Sequence, residues 1–471
     1  MRKPTRSAHR KAPLVLALAL ALGGCAIKSP PKPSELREQT LPAAAVPQSW
    51  KAGAPSGTFS AGWLANFQDP QLLALVDEAL RNNPDLKIAA ARIEQANATV
   101  AAVGGALWPS VSAYGRAGGK MSDGSGLTGG MLTVNWELDL WGRVRSEQAA
   151  ARAQYDATEA DYAWARQTIA ASVARAWFLA SEARQQRQLA EQSVTATEKL
   201  LSLEETRKRV GNTDDTAVSG AREALAARRD AVAQLKLTES QSLRAIEVLV
   251  GRYPAAELEA PSRLATLPPD IPAGLPSELL ERRPDVIAAE RRVASSFYRT
   301  EEAKAARLPA IKLTAGVNSI DSSLFVLQER NNPVWSFGAG LLVPIFTGGT
   351  LQAQVDVRTA EQKSAVASYA STGQRAFADV ENALASNIAL AARKPLAERK
   401  LSENQRQVQL AQTRLKVGSG DMRAVINEEL GLLGAQGELL RLQSETLVQR
   451  VNLHLALGGD FAASAAPAST R

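Results

Sequence analysis

The sequence predicts a mainly α-helical chain that carries a membrane β-sheet and is built as two copies of one unit. Three observations predict it. From Arg143 to about Val210 there is neither proline nor glycine, only alanine-rich, charged sequence. That stretch is long enough for one helix of roughly 100 Å at about 1.5 Å per residue. Immediately before it the pattern alternates: Leu132, Val134, Trp136, Leu138 and Leu140 share one parity, and Thr133, Asn135, Glu137 and Asp139 share the other. This is the signature of a half-exposed strand. Finally, the second half restates the first. Asn83-Pro84-Asp85 and Leu107-Trp108-Pro109 recur 200 residues later as Arg283-Pro284-Asp285 and Arg307-Leu308-Pro309, and Val210-Gly211 recurs 207 residues later as Val417-Gly418. Strand faces and helix ends that return in order are the mark of a duplication.

In chain order, residues 1–24 hold Arg2, Lys3, Arg6, Arg10 and Lys11, then an apolar run from Leu14 to Leu22. A basic start and a short apolar run describe a signal peptide, too short to be a membrane helix. Leu22-Gly-Gly-Cys25 resembles the bacterial lipobox, which implies acylation of Cys25, and Ala26 in the next position implies sorting to the outer membrane. Cys25 is the only cysteine, so no disulfide competes for it. Removing the signal peptide leaves 50 basic against 48 acidic side chains. The basic balance of the whole chain thus resides largely in the leader, and no nucleic-acid surface is expected.

Residues 25–60 are rich in Pro, Ala and Ser and predict an extended tether. The first repeat spans 61–251. It contains a short helix from Gln71 to Arg81, a helix from Asp85 to Leu107 with Asp85 as its cap, a β-hairpin over 110–141, and a helical hairpin over 143–250 that turns at Val210 to Asp215. The proline-rich stretch 252–274 reads as a connector. The second repeat spans 275–458, with a hairpin over 310–346 and a helical hairpin over 350–457, and 459–471 reads as a flexible tail. In this copy Trp335, Phe337, Ala339, Leu341 and Val343 alternate with Ser336, Gly338, Gly340 and Leu342, and Pro344 to Gly349 replaces the strand-to-helix joint.

Four strands of about 8 to 12 residues can cross an outer membrane when tilted, but barrels made from one chain start at about eight strands. A membrane sheet here therefore requires several chains. Trp108, Trp136, Trp141 and Trp335 lie where an interfacial aromatic belt would place them. A soluble four-stranded sheet packed on helices is the alternative. Gly431, Gly434 and Gly437 interrupt the last helix and predict a close crossing or a yielding segment.

Taken together, the chain resembles the TolC-like outer-membrane efflux factors, in particular the NodT-type lipoproteins related to OprM. The resemblance rests on Leu275-Pro-Ser-Glu-Leu-Leu-Glu-Arg-Arg-Pro-Asp-Val-Ile-Ala-Ala-Glu290, on Asp69-Pro70-Gln71-Leu72, on Asn83-Pro84-Asp85-Leu86, on Leu107-Trp108-Pro109-Ser110 and on Trp136-Glu-Leu-Asp-Leu-Trp-Gly142. It implies a homotrimer whose four strands per chain form a shared twelve-stranded barrel in outer-membrane lipid, continued by a helical tunnel. It also implies two partners, a periplasmic adaptor and an inner-membrane RND pump.

The resemblance places adaptor docking at the turns, hence at Val210, Gly211, Val417 and Gly418. It places the periplasmic gate just beyond the second turn, where the candidates are Asp421, Arg423, Asn427 and Glu428. Ala424 and Asn427 stand where the family often has acids, so a strong acidic ring is not expected. Glu137 and Asp139 would line the lumen. A type I protein-secretion channel and a non-conducting periplasmic scaffold lipoprotein are the alternatives. The alternating strands in both repeats favour a duct over a scaffold, and the lipobox and Arg282 to Asp285 favour efflux over protein secretion.

Catalysis is not expected. Beyond the leader the chain has one histidine, His454, and one cysteine, so Cys-based triads and multi-His zinc sites are unavailable. No phosphate loop of known spacing occurs. Neither cofactor nor metal is expected.

Overall fold

Glycine in the left-handed region marks both points where a strand gives way to a long helix: φ is 73° at Gly142, and 59° and 81° at Gly348 and Gly349. The structure, a computed structural model, describes residues 28–41, 46–53, 62–116, 127–322 and 333–461. Its elements are α1 (Pro33–Thr40), α2 (Pro70–Asn82), α3 (Pro84–Gly105), β1 (Ser110–Arg116), β2 (Leu127–Leu138), α4 (Arg143–Arg209) and α5 (Asp215–Leu249). These are followed by α6 (Pro276–Arg282), α7 (Pro284–Ala305), β3 (Ala310–Ser322), β4 (Val334–Leu342), α8 (Thr350–Lys416) and α9 (Met422–Ala456). The duplication is visible in the lengths. α3 and α7 have 22 residues each, α4 and α8 have 67 each, and α5 and α9 have 35 each.

Three local expectations are corrected. Residues 25–60 are not uniformly extended, because 33–40 form α1. Its Leu36, the following Leu41 and Trp50 are all buried, and the Trp50 indole donates to the carbonyl of Gly274 at 3.0 Å. Apolar anchors at that spacing hold the segment down in spite of its prolines. Asp85 does not cap α3. The cap is Asn83, whose Oδ1 accepts from the backbone N–H of Asp85 and of Leu86 while its Nδ2 donates to the carbonyl of Leu249. With proline at the first helical position, the cap is the residue before it, two positions ahead of Asp85. The strand expected to reach Leu140 ends at Leu138. Cys25, the signal peptide and residues 462–471 lie outside the described residues.

The described chain divides into two compact units, the first formed by 1–42, 91–160 and 287–372 and the second by 43–90, 161–286 and 373–471. The first contains the sheet, a single antiparallel layer in the order β1-β2-β3-β4. Here α7 is bound to both long helices. Ser295 donates to the carbonyl of Ala150 at 2.9 Å and Thr300 to that of Arg358 at 3.1 Å. α3 packs on α4 as well, where the side-chain amide of Gln148 lies against Gly104, 2.5 Å from where a Cβ would stand. The upper stretch of α4, which its short partner α5 cannot reach, is thus covered by α3 and α7.

The second unit holds an apolar core in which Trp63, Phe67, Leu72 and Val76 meet Trp177, Phe178, Ile246 and Val451. The Asp69 carboxylate does two things there. One oxygen caps α2 through the N–H of Gln71 and Leu72, and the other accepts from the Trp177 indole at 2.8 Å. Arg283, within the stretch Leu275 to Glu290 that gives the most specific family match, is buried. It pairs with Asp285 at 2.9 Å and Asp379 at 2.7 Å, and its guanidinium lies 4.8 Å over the Trp164 ring. Glu247, also buried, accepts from the N–H groups of Ala256, Glu257 and Leu258 and so fixes the start of the connector.

His454 stacks on Trp63, centroids 5.2 Å apart. Burial, reinforced by the nearby Arg450, lowers its pKa from 6.5 to about 3. The folded state therefore holds a neutral imidazole where the unfolded chain binds a proton. Stability is full above pH 6.5 and falls as pH drops toward 3, by about 1.4 kcal/mol per pH unit at most. We expect His454→Gln to flatten the acid side of the urea-unfolding profile between pH 6.5 and 4.5. An unchanged slope would remove the histidine from the account.

Candidate functional site

Side chains that face each other across neighbouring strands lie on the same side of a sheet, so the register sorts every strand residue. One side carries the rows Ala113–Leu132–Val317–Trp335, Val111–Val134–Ala315–Phe337, Trp136–Leu313–Ala339 and Leu138–Ile311–Leu341. All of these residues are apolar. The other side carries Ser112–Thr133–Gly316–Ser336, Ser110–Asn135–Thr314–Gly338 and Glu137–Lys312–Gly340, and beyond them the mixed row Tyr114–Met131–Asn318–Val334. The apolar side is open in the single chain, with Phe337 83% and Trp335 79% exposed. Among the described residues β1 bonds only to β2 and β4 only to β3, so both outer edges lack strand partners there. An open apolar face bounded by two free edges is a structure waiting for lipid and for further strands.

The joint below β2 is held by residues of both repeats. The Trp136 indole donates to the carbonyl of Leu107 at 2.9 Å, and the Trp141 indole to that of Pro309 at 2.6 Å. The two carbonyls lie in matching corners of the two repeats, Leu107 to Pro109 and Arg307 to Pro309. Glu137 sits on the polar side and pairs with Arg143 at 2.9 Å. Asp139 lies one residue past the strand. Its carboxylate accepts the N–H of Val144 and of Arg145, each at 3.0 Å, and pairs with the Arg145 side chain. Burial pushes its pKa up, but these donors outweigh burial and hold it below the ordinary carboxylate value. Its carboxylate is occupied in starting α4.

At the far ends of α4 and α8 the two turns have one geometry. Gly211 and Gly418 both have φ of 76°. In the first, Asn212 N donates to Arg207 O and Gly211 N to Lys208 O; in the second, Ser419 N donates to Arg414 O and Gly418 N to Leu415 O. This is the Schellman arrangement, and it accounts for glycine at both positions. Val210 and Val417, just before them, are 67% and 71% exposed. Asp214 and Asp421 then cap α5 and α9.

Asp421 also does something its counterpart does not. While Oδ1 accepts from the N–H of Arg423 at 3.1 Å, Oδ2 pairs with Arg207 of α4 at 2.7 Å. Arg423 in turn pairs with Glu204 of α4 at 2.9 Å. Two crossed ion pairs thus link the outgoing helix of the first hairpin to the returning helix of the second. The N–H of Arg423, then Arg207, hold the Asp421 carboxyl below its usual range. Asn427 is exposed and Glu428 half-buried on the next turns of α9. Glu204, 3% exposed, is a member of this set that sequence reasoning missed. Its signal is spacing: it follows Ser193 and Thr197 on the buried stripe of α4, an acid at heptad distance from a small residue.

Among the described residues no helix is long and apolar enough to cross a membrane, and no cluster of His, Cys, Asp and Glu could hold a metal ion.

The outer membrane efflux protein family model matches residues 75–252 and 275–459. The chain is similar to the cation efflux system protein CusC of Escherichia coli O6:H1, 29% identical over 462 residues, 95% of this chain and 98% of that one. It is 31% identical over 463 residues to the probable efflux pump outer membrane protein TtgC of Pseudomonas putida, 94% of each chain. Among solved structures it resembles the outer-membrane channel OprN with a TM-score of 0.78, 26% identity, and coverage of 90% of this chain and 98% of that one. The open-state outer-membrane channel MtrE of Neisseria gonorrhoeae gives 0.78 at 27% identity, covering 93% and 98%. A family of channels, not of enzymes, fits a chain whose chemistry lies in its surfaces. With its duplicated hairpins and amphipathic sheet, the chain belongs to the outer membrane efflux protein family.

Proposed function

We propose that three copies of this outer-membrane efflux channel close one barrel of twelve strands and continue it as a single helical duct through the periplasm. The observation that carries this reading is the sheet: one face that is apolar over the four rows from Trp335 to Leu341, and two edges without strand partners among the described residues. In hydrocarbon an unpaired edge is prohibitive, so β4 of one copy must lie beside β1 of the next until the ring closes. The apolar side then faces lipid, and the polar side, with Glu137 and Lys312, lines the lumen. Cys25 carries the acyl anchor, and its modification is read directly as a lipid mass on the N-terminal peptide.

The exposed Val210-Gly211 and Val417-Gly418 turns form the entrance rim. They dock a periplasmic adaptor that links the duct to an inner-membrane RND pump. Asp421, Arg423, Arg207 and Glu204 hold the entrance shut, with Asn427 and Glu428 on the wall beyond them. The channel does no chemistry of its own and carries what the pump supplies. Relatives are named for cation efflux, for toluene efflux and for antibiotic efflux, and we assign small toxic molecules as the class.

The experiment is Gly418→Val. A branched side chain at positive φ distorts the turn and its exposed rim. We expect efflux-dependent resistance and adaptor crosslinking to fall at least tenfold while the assembled barrel remains in the outer membrane. Unchanged export with unchanged crosslinking would remove the docking role from this turn.

A further inference from the structure

Within the second unit, α4, α8 and α9 meet around a cavity of about 390 Å³, a volume in the range of small-molecule sites. What marks it is a guanidinium without a counter-charge. Arg175 of α4 lines the cavity and is half-buried. One of its terminal nitrogens donates to Asn452 Oδ1 at 3.0 Å and the other to Ser172 Oγ at 2.9 Å. Both partners are neutral. The remaining donors, Nε–H and one N–H on each terminal nitrogen, have no partner among the described residues.

Burial alone acts on the pKa of Arg175, and lowers it, because no carboxylate stands close enough to raise it. Two more deeply buried guanidinium groups of this unit are each paired, Arg283 with Asp285 and Asp379, and Arg450 with Asp270. Asp379 is the acid on the cavity wall, and its charge is answered by Arg283 at 2.7 Å. Arg175 is therefore the surplus charge of this cavity. Withdrawing it from water without a partner costs free energy that an anion would return.

The wall contributed by α8 is polar and neutral. Asn382 is exposed and Ser386, one turn on, is half-buried. Neither side chain hydrogen-bonds to another described residue. Ala383, Leu455 and Ala456 supply apolar surface. We infer that the cavity binds a small organic monocarboxylate with a hydroxyl at its far end. The carboxylate accepts the open N–H groups of Arg175 as a charge-assisted pair, the body lies on the apolar surface, and the hydroxyl meets Asn382 and Ser386. A dianion would outweigh the single free guanidinium.

The site stands on one chain, and its use in export rests on the duct reading. The connector covers the face of α8 and α9 that carries Leu384, Ile388 and Leu453. The cavity lies on another face, and three copies set three such sites round one bore as footholds for anionic cargo.

The test uses the full-length protein in lipid nanodiscs, with 6-hydroxy-2-naphthoate as probe, calorimetry as readout and empty nanodiscs to measure partition into lipid. We expect saturable binding with one site per chain. The neutral 6-hydroxy-2-naphthamide is expected to bind at least tenfold more weakly. Arg175→Gln should weaken binding of the acid by at least tenfold, and Arg175→Lys, which keeps the charge, should restore much of it. Asn382→Trp, a larger side chain at an exposed position, should fill the cavity and abolish binding. Heat-resistant oligomer in the outer-membrane fraction shows that the variants fold. Absence of saturable binding to the wild type, equal binding of acid and amide, or undiminished binding by Arg175→Gln would overturn the proposal. Saturable binding by a protein that does not conduct would uphold the site and count against the duct.

Discussion

Phe337→Arg is expected to remove the assembled protein from the outer membrane. Phe337 stands at the middle of β4 in the apolar row with Ala315, Val134 and Val111. A guanidinium at mid-bilayer on the lipid face costs about 2–4 kcal/mol per chain. In a three-fold barrel that cost is met three times. The neighbouring Ser336→Arg carries the same charge on the opposite face, where Thr133 and Gly316 are its cross-strand row mates, and should assemble normally. Heat-resistant oligomer in the outer-membrane fraction is the measurement. The contrast separates a membrane barrel from a soluble sheet, for which both arginines would be tolerated or both would not. Equal assembly of the two variants would return the sheet to the scaffold reading.

Breaking the crossed ion pairs at the entrance is expected to produce the second large effect. A solvent-exposed pair stabilises by about 0–1 kcal/mol. Each chain has two, and Glu204 is buried, so losing Arg423 also strands a carboxylate away from water. If three chains open together, Arg207→Ala with Arg423→Ala shifts the closed-to-open balance by about 2–4 kcal/mol, or roughly 30- to 1,000-fold. Planar-bilayer conductance should rise accordingly, with Glu204→Gln showing part of the gain. Acid should act in the same direction. The folded Asp421 has a depressed pKa, so its contribution is present above the ordinary value of 3.8 and is lost as pH falls through the lower one. A double variant with wild-type conductance would show that the closed state is held elsewhere.

Much of this architecture was legible because it is periodic. Alternation over Leu132 to Leu138 is enforced by a face that meets lipid, and the same enforcement made the second repeat recognisable at Trp335 to Leu341. The proline- and glycine-free run from Arg143 could only be helix. Less legible was anything set by tertiary contact. Leu36 and Trp50 gave no periodic signal in their proline-rich surroundings, yet burial orders them. Asp139 fits the strand's alternation and leaves it because its carboxylate meets the amide groups of α4. Beyond the second turn, Asp421 and Arg423 stood out as polar residues, but their partners, Arg207 and Glu204 respectively, lie more than 200 positions away in the chain. Only folding brings them together.

The central claim is that one chain cannot complete the channel and three can. Native mass spectrometry of the intact protein released from lipid nanodiscs tests it most directly. The account predicts a single species of three chains, each carrying its lipid. A folded species of one or two chains that nonetheless conducts would contradict it.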